Sequence, residues 1–278
     1  MSKISYFCGF LVCPCFQFLL ALSFLLPTGC STAQEPPAAE TVQAQLKKAK
    51  ERRVAAHAEF KVGDFAAAIE ILQTLSSLEA TPDDDKVGAD FSLGEIYFAD
   101  GQAAQSVAAF DRVIKLQPRL KPQLWQRGLA LYYADRYADV VDQLESHQNF
   151  NTQDVENSVW HMLSKAKLTS VKEARKGMIE ITRDRRIAMP EIYEMFAGRG
   201  GVDQVRAAAD ASGDLSTIYH ASLYIGLFHE MMGEPKKAQS AIESALKENP
   251  FGPTTFMGNV ARMHAKVRGY DDKNDSEN

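Results

Sequence analysis

Few residues of this chain have types and spacings that suggest chemistry. His229-Glu230-Met231-Met232-Gly233 opens like the zinc-hydrolase helix, in which two imidazoles one turn apart hold the metal and the glutamate activates water. Glycine stands where the second imidazole belongs, so no metal site is predicted. Gly198-Arg199-Gly200-Gly201 has the glycine content of a phosphate cradle, but it follows a helical pattern rather than a strand and reads as a turn. Trp160-His161 reads as packing plus an exposed imidazole, not as a general base. No serine sits in a Gly-x-Ser-x-Gly context. Glu79 with Asp83, Asp84 and Asp85 lacks the alternating ligands of a calcium loop and reads as a solvated acidic loop. The cysteines are Cys8, Cys13, Cys15 and Cys30, with none beyond residue 30. That excludes a disulfide framework, a thiol nucleophile and a thiolate metal site from the rest of the chain. The expectation is a non-enzymatic protein with no cofactor and no metal.

Length and charge bound the class. The chain has 278 residues, 45% of them hydrophobic, and a formal charge of −5. That is enough for one sizeable core or one long solenoid. A mildly acidic balance offers no basic patch to offset phosphate repulsion, which argues against nucleic acid. Alanine, leucine, glutamate and lysine at helical spacing place it in the all-α class.

Cys30 has a distinct chemical prospect. Lys3 is the only charge before Glu35, and residues 7–26 form an apolar run. A positive start followed by such a run is a secretory signal, and about 20 apolar residues also suffice to cross a bilayer. Leu26-Pro27-Thr28-Gly29-Cys30 resembles the bacterial lipobox, in which a small residue precedes a cysteine that is lipidated and becomes the first residue. Pro27 replaces the usual aliphatic residue. Three readings stand: a lipoprotein with residues 1–29 removed, an uncleaved anchor, or ordinary secretion. The lipobox reading implies that Cys30 carries acyl chains, each worth about 0.8 kcal/mol per buried CH₂. It makes the mature chain one unit more negative, because Lys3 leaves and no acid does. Ser31 follows Cys30 rather than an aspartate, which by the enterobacterial sorting pattern implies the outer membrane, facing the periplasm. Residues 30–45 are assigned to the lipidated cysteine and a flexible tether, 46–268 to the folded part, and 269–278 to a disordered polar tail.

The folded part repeats. Gly94 recurs as Gly128, Tyr97 as Leu131, Gly101 as Asp135 and Phe110 as Leu144, each after 34 residues. That is the tetratricopeptide period, a helix–turn–helix unit that packs on copies of itself. The small residue at 94 and 128 lets two helices approach closely, and Pro118 ends the second helix of its unit. An earlier unit carries Ala56, the turn Gly63-Asp64-Phe65, and Ala68, Leu72 and Leu75 at helical spacing. Two later units are looser: one has Met162 and Ala174 in register, the next has Pro190, Phe196 and a short second helix over 202–211. The last regains the pattern with Gly226, Gly233, Ala238, Ile242, Ala245 and Pro250. Residues 256–268 read as a C-terminal capping helix. The predicted fold is an all-α tetratricopeptide-type solenoid of about six helix pairs.

Such solenoids line one face with the first helix of each pair. In this frame Arg53, His57, Phe91, Phe98, Trp125, Leu129 and Tyr132 form an aromatic groove with a basic end, suited to an extended or helical peptide. For Phe98 and Tyr132 the competing reading is that they fill space between repeats. The carboxylate clamp of chaperone-tail binders needs lysine and asparagine at fixed positions; Arg53, His57, Ser92, Pro122 and Gln126 stand there instead.

The chain resembles the NlpI-type tetratricopeptide lipoproteins of the bacterial envelope. Residues Gly128-Leu129-Ala130-Leu131-Tyr132-Tyr133-Ala134, Ser158-Val159-Trp160-His161-Met162-Leu163, the degenerate unit at 194–201 and the regular last repeat carry the likeness. The resemblance implies a dimeric adaptor that gathers peptidoglycan hydrolases or a periplasmic protease. A structural assembly factor of an outer-membrane complex is the alternative. On the lipoprotein reading, Cys30→Ser should shift the protein from the membrane to the soluble fraction. A variant still held by an intact signal segment would identify that segment as a transmembrane anchor instead.

Overall fold

The computed structural model describes residues 39–270 apart from 80 and 253. Residues 1–38, including the signal-like segment and Cys30, and residues 271–278 of the polar tail lie outside the described residues. Six helix pairs follow one another: α1 (Ala39–Val62) with α2 (Phe65–Ser77), α3 (Asp83–Ala99) with α4 (Ala103–Leu116), α5 (Trp125–Tyr133) with α6 (Tyr137–His147), α7 (Val155–Leu168) with α8 (Val171–Lys176), α9 (Met189–Ala197) with α10 (Val202–Ser212), and α11 (Leu215–Met231) with α12 (Pro235–Glu248). A short 3-10 helix, Pro118–Gln123, precedes α5, and α13 (Phe256–Arg268) ends the array. No strand occurs among the described residues. The all-α solenoid of six pairs and a terminal helix is therefore the observed architecture.

The pairs are set where a bare Cα meets a large side chain. A Cβ added at Gly94 would lie 2.6 Å from the Phe110 ring, one at Gly128 2.7 Å from a Leu144 methyl, and one at Gly226 2.7 Å from Cδ1 of Ile242. The first two pairs are those that the 34-residue spacing brings into register. The turn between the helices also recurs. Gly63, Gly101 and Gly233 hold φ of +85°, +79° and +75°, and Asp135 takes the same left-handed conformation at +58°. That conformation is free for glycine and costs other residues roughly 1–2 kcal/mol. Asp135 accepts a hydrogen bond from the Tyr137 hydroxyl at 2.5 Å, the kind of local bond that makes Asp tolerable there.

Side chains that compete with the backbone elsewhere start several of the helices here. Asp64 accepts from the Ala67 amide at 2.9 Å, Asp214 from Thr217 at 2.8 Å, and Thr255 from Gly258 at 3.1 Å. Asp83, Asp84 and Asp85, expected in a solvated loop, form the first turn of α3, where the positive end of the helix dipole favours acids. Helix α1 begins at Ala39, inside the segment assigned to the tether. The run Gln43-Ala44-Gln45-Leu46-Lys47-Lys48 consists of strong helix formers.

Helix α13 does more than cover α12. It packs on α12 and also reaches back to α3 and α5. Phe256 stacks on Phe98 with ring centroids 4.1 Å apart and meets Trp125 edge-on at 5.4 Å. Lys266 Nζ donates to the Asp100 carbonyl at 2.7 Å. Arg268 donates to both oxygens of Glu230, at 2.8 and 3.1 Å, and His264 Nε2 lies 2.9 Å from Glu230 Oε2. Burial alone would raise the Glu230 carboxyl, but His264 and Arg268 outweigh it and hold it well below the usual range. Burial keeps the His264 imidazole neutral to lower pH than a free histidine.

Gly94→Leu should overpack the α3–α4 contact and cost about 1–3 kcal/mol. Because each repeat rests on its neighbours, the loss should reach α1–α2 and α5–α6. An unchanged thermal melt would contradict the helix register.

Candidate functional site

The face formed by α5, α7 and the start of α13 carries a cavity of about 230 Å³. Half-buried Trp125, at the first turn of α5, forms one side with Leu129 and Met257. Trp160, on the second turn of α7, is 1% exposed and forms the other. Its indole N–H donates to the Tyr224 hydroxyl at 3.3 Å, and that hydroxyl donates to Glu156 Oε1 at 2.7 Å. The rim is polar: Asp154, Glu156 and Arg186 all line the cavity.

These charges converge because Asp154 begins α7 and Arg186 arrives from the connection between α8 and α9. Asp154 caps the helix by accepting from the Glu156 amide at 3.1 Å. Arg186 reaches Glu156 Oε2 at 2.6 Å, Asp154 Oδ1 at 2.8 Å and Asp184 Oδ2 at 2.6 Å. The two aspartates respond in opposite ways. Burial, with Glu156 close by, pushes the Asp154 carboxyl up despite Arg186. Burial also acts upward on Asp184, but bonds from Arg186 and the Val155 amide bring it below its ordinary range. Three carboxylates thus face one guanidinium. Asn157, 4% exposed, also lines the cavity; its amide N–H donates to the Leu144 carbonyl at 3.3 Å, while its Oδ1 has no hydrogen-bond partner among the described residues.

The residues placed in the groove by the repeat frame divide. Trp125 and Leu129 share the cavity wall. Phe98 is completely buried under Phe256, and Leu129 is 3% exposed. Tyr132, 2% exposed, sits among Tyr133, Tyr137 and Trp160 with the nearest ring centroid at 5.0 Å. Phe98 and Tyr132 are therefore interior rather than open groove surface: the return of α13 covers Phe98, and rings of α5, α6 and α7 cover Tyr132. Phe91 is half-buried against Phe110 at 5.8 Å. Arg53 lies against Gly88, and exposed His57 donates through Nδ1 to the Arg53 carbonyl, 3.1 Å away. Both belong to α1, whose buried residues form a separate core cluster with α2 and α3, so they do not join the Trp125 cavity.

The motifs that suggested chemistry have structural duties. His229 Nδ1 lies 2.6 Å from Glu234 Oε2, and Glu230 receives Arg268. His161 is buried rather than exposed, with Nε2 3.1 Å from Glu145 Oε1, and burial lowers its pKa. Gly198 closes α9 at φ +78° as a turn residue. No group of three His, Cys, Asp or Glu among the described residues could hold a metal. Asp154, Asn157 and Arg186 lie off the first-helix groove positions, and Glu156, which stands on one in the fourth unit, was not named because the groove residues came from the first three units alone. The one available signal was Asp154 directly before an apolar helix, which is a cap pattern.

The tetratricopeptide repeat family matches residues 89–119, which run from α3 through α4 into the 3-10 helix. The chain contains a tetratricopeptide repeat. The match covers Gly94, Gly101 and Phe110, the small residue, the left-handed turn and the large side chain that fits against the glycine. Tetratricopeptide repeats mediate contacts between proteins, and the fold serves as an interaction scaffold.

Glu95, on the first helix of the matched repeat, is a half-buried acid. Burial raises its carboxyl to about 7, partly offset by a hydrogen bond with Gln126. Below pH 4.5 the folded and unfolded chains both hold the proton. Between pH 4.5 and 7 the folded chain keeps a proton that the unfolded chain releases, so stability falls as pH rises. Above pH 7 the penalty is complete. Glu95→Gln should therefore raise Tm at pH 8 and leave it unchanged at pH 4. An equal gain at both pH values would show that the carboxyl does not titrate abnormally.

Proposed function

We propose that this protein is a lipid-anchored, non-enzymatic scaffold of the bacterial cell envelope that holds a segment of a partner protein at the Trp125 cavity. The observation that carries the reading is the cavity itself: an indole-walled recess with a charged rim, built on the first helices of a repeat array whose general role is protein binding. Aromatic anchors in recesses of this kind dominate many protein interfaces. Cys30 and its lipobox-like approach support the anchor, and the likeness to NlpI-type lipoproteins supports the envelope and a cell-wall hydrolase or protease as partner.

The test is an affinity capture from envelope extracts with wild type and Trp125→Ala, each checked by circular dichroism on the same sample. An anchor of this kind contributes about 2 kcal/mol or more, a loss of roughly 30-fold in affinity. The variant should release the captured protein with its helicity intact, and Trp125→Phe should restore part of the binding. Unchanged capture by a folded Trp125→Ala would move the partner site elsewhere. Recovery of a protease or hydrolase supports the adaptor role, whereas recovery of outer-membrane assembly proteins would replace it with the assembly role.

A further inference from the structure

We infer that the Trp125–Trp160 cavity is a receptor for an arginine side chain of the bound segment. The inference rests on the reading that this cavity receives a protein partner, and it names the chemistry that the cavity selects. Its walls and rim call for a flat cation. Two indole rings line it, and tryptophan is the best aromatic partner for a cation held over its face. The polar groups around it are mostly acceptors. Asp154 and Glu156 line it directly, and Asn157 Oδ1 is a buried acceptor without a donor.

Arg186, the one arginine that reaches these acids among the described residues, does not meet this demand, and His147 Nε2 and His220 Nε2 stay 4.0 Å from Asp154 Oδ2 and Glu156 Oε1. Arg186 is shared among Asp154, Glu156 and Asp184, and its Nε and Nη2 both engage Asp184, at 3.0 and 2.6 Å. Three carboxylates against one guanidinium leave an excess of negative charge at the rim. Asp154 is pushed up chiefly by burial, with the neighbouring Glu156 adding to it, so a further cation beside it would meet a carboxylate that Arg186 alone does not relieve. A second guanidinium would bring what is missing. Its plane stacks on an indole, its fork matches a carboxylate, and its remaining N–H groups suit an amide oxygen such as that of Asn157. A neutral apolar side chain would leave Asn157 Oδ1 unpaired and the rim uncompensated. An acidic one would be repelled.

The chain has two tryptophans, Trp125 and Trp160, and both line the cavity, so emission excited at the red edge, where tyrosine does not absorb, reports this site. The full chain would be titrated with the capped pentapeptide Gly-Ala-Arg-Ala-Gly and with its twin carrying citrulline, which keeps the shape and removes the charge. The arginine peptide should give a saturable change in emission and bind at least about tenfold more tightly than the citrulline twin. The ratio should fall towards one in Asp154→Asn/Glu156→Gln. If that double variant loses its helical spectrum, Trp125→Leu supplies the check: Trp160 remains as the reporter, and preference for the arginine peptide should be lost. Equal binding of the twins by wild type, or no response to either, would overturn the inference. So would a preference that survives in a folded double variant. The parent reading fails separately, if folded Trp125→Ala still captures the partner protein.

Discussion

Close approach of paired helices at a side-chain-free position is the constraint from which the rest of this structure follows. Gly94 admits the Phe110 ring, Gly128 admits Leu144 and Gly226 admits Ile242, and in each pair the large residue lies 16 positions after the glycine. The contact fixes the distance between the helices of a pair, and the left-handed turn at Gly101, Asp135 or Gly233 reverses the chain so that the contact can form. Once three pairs are held this way, their first helices present successive side chains to one another, and the long aromatic core from Phe98 to Trp160 and Tyr224 can close. The pair α7–α8 lacks the motif and carries a six-residue second helix. Its place in the array is held by the core side chains of α7 and by the ionic rim around Arg186.

The terminal helix turns a row of pairs into a closed packing problem. Phe256 lies between Phe98 and Trp125, so α3, α5 and α13 share one aromatic contact. At the far end of α13, Arg268 and His264 converge on Glu230 of α11, and Lys266 reaches the end of α3. The helix is thus tied by stacking at its start and by charge at its end. Leaving Glu230 without Arg268 would strand a partly buried carboxylate, which is far costlier than losing an exposed ion pair.

The candidate site arises where these two features meet. Trp125 is held from one side by Phe256 and opens on the other to the recess over Trp160. Its indole is half-buried and oriented by packing, which makes it a preorganised anchor rather than a loose surface ring. The rim acids are placed by a helix start and by a connection between repeats, so shape and charge at the site come from different parts of the chain.

The sequence by itself determined the repeat. Period, small–large pairing and turn residues are local, and each leaves a mark that survives without coordinates: Gly94 and Phe110, Gly101 and Asp135, Pro118 after α4. It also placed Trp125 on the inward side of α5. Only tertiary structure decided how that side is used. Whether Phe98 meets solvent depends on a helix that lies more than a hundred residues away, Tyr132 is covered by Trp160 of the next pair, and no periodicity within α3 or α5 encodes either contact. The same holds for the rim. Asp154 and Arg186 are 32 residues apart, in a helix cap and an irregular connection, and long-range ion pairs leave no period in the chain. Local signals specify which helices form and how neighbours pair; the site depends on contacts between distant segments, which become readable only once those helices are packed.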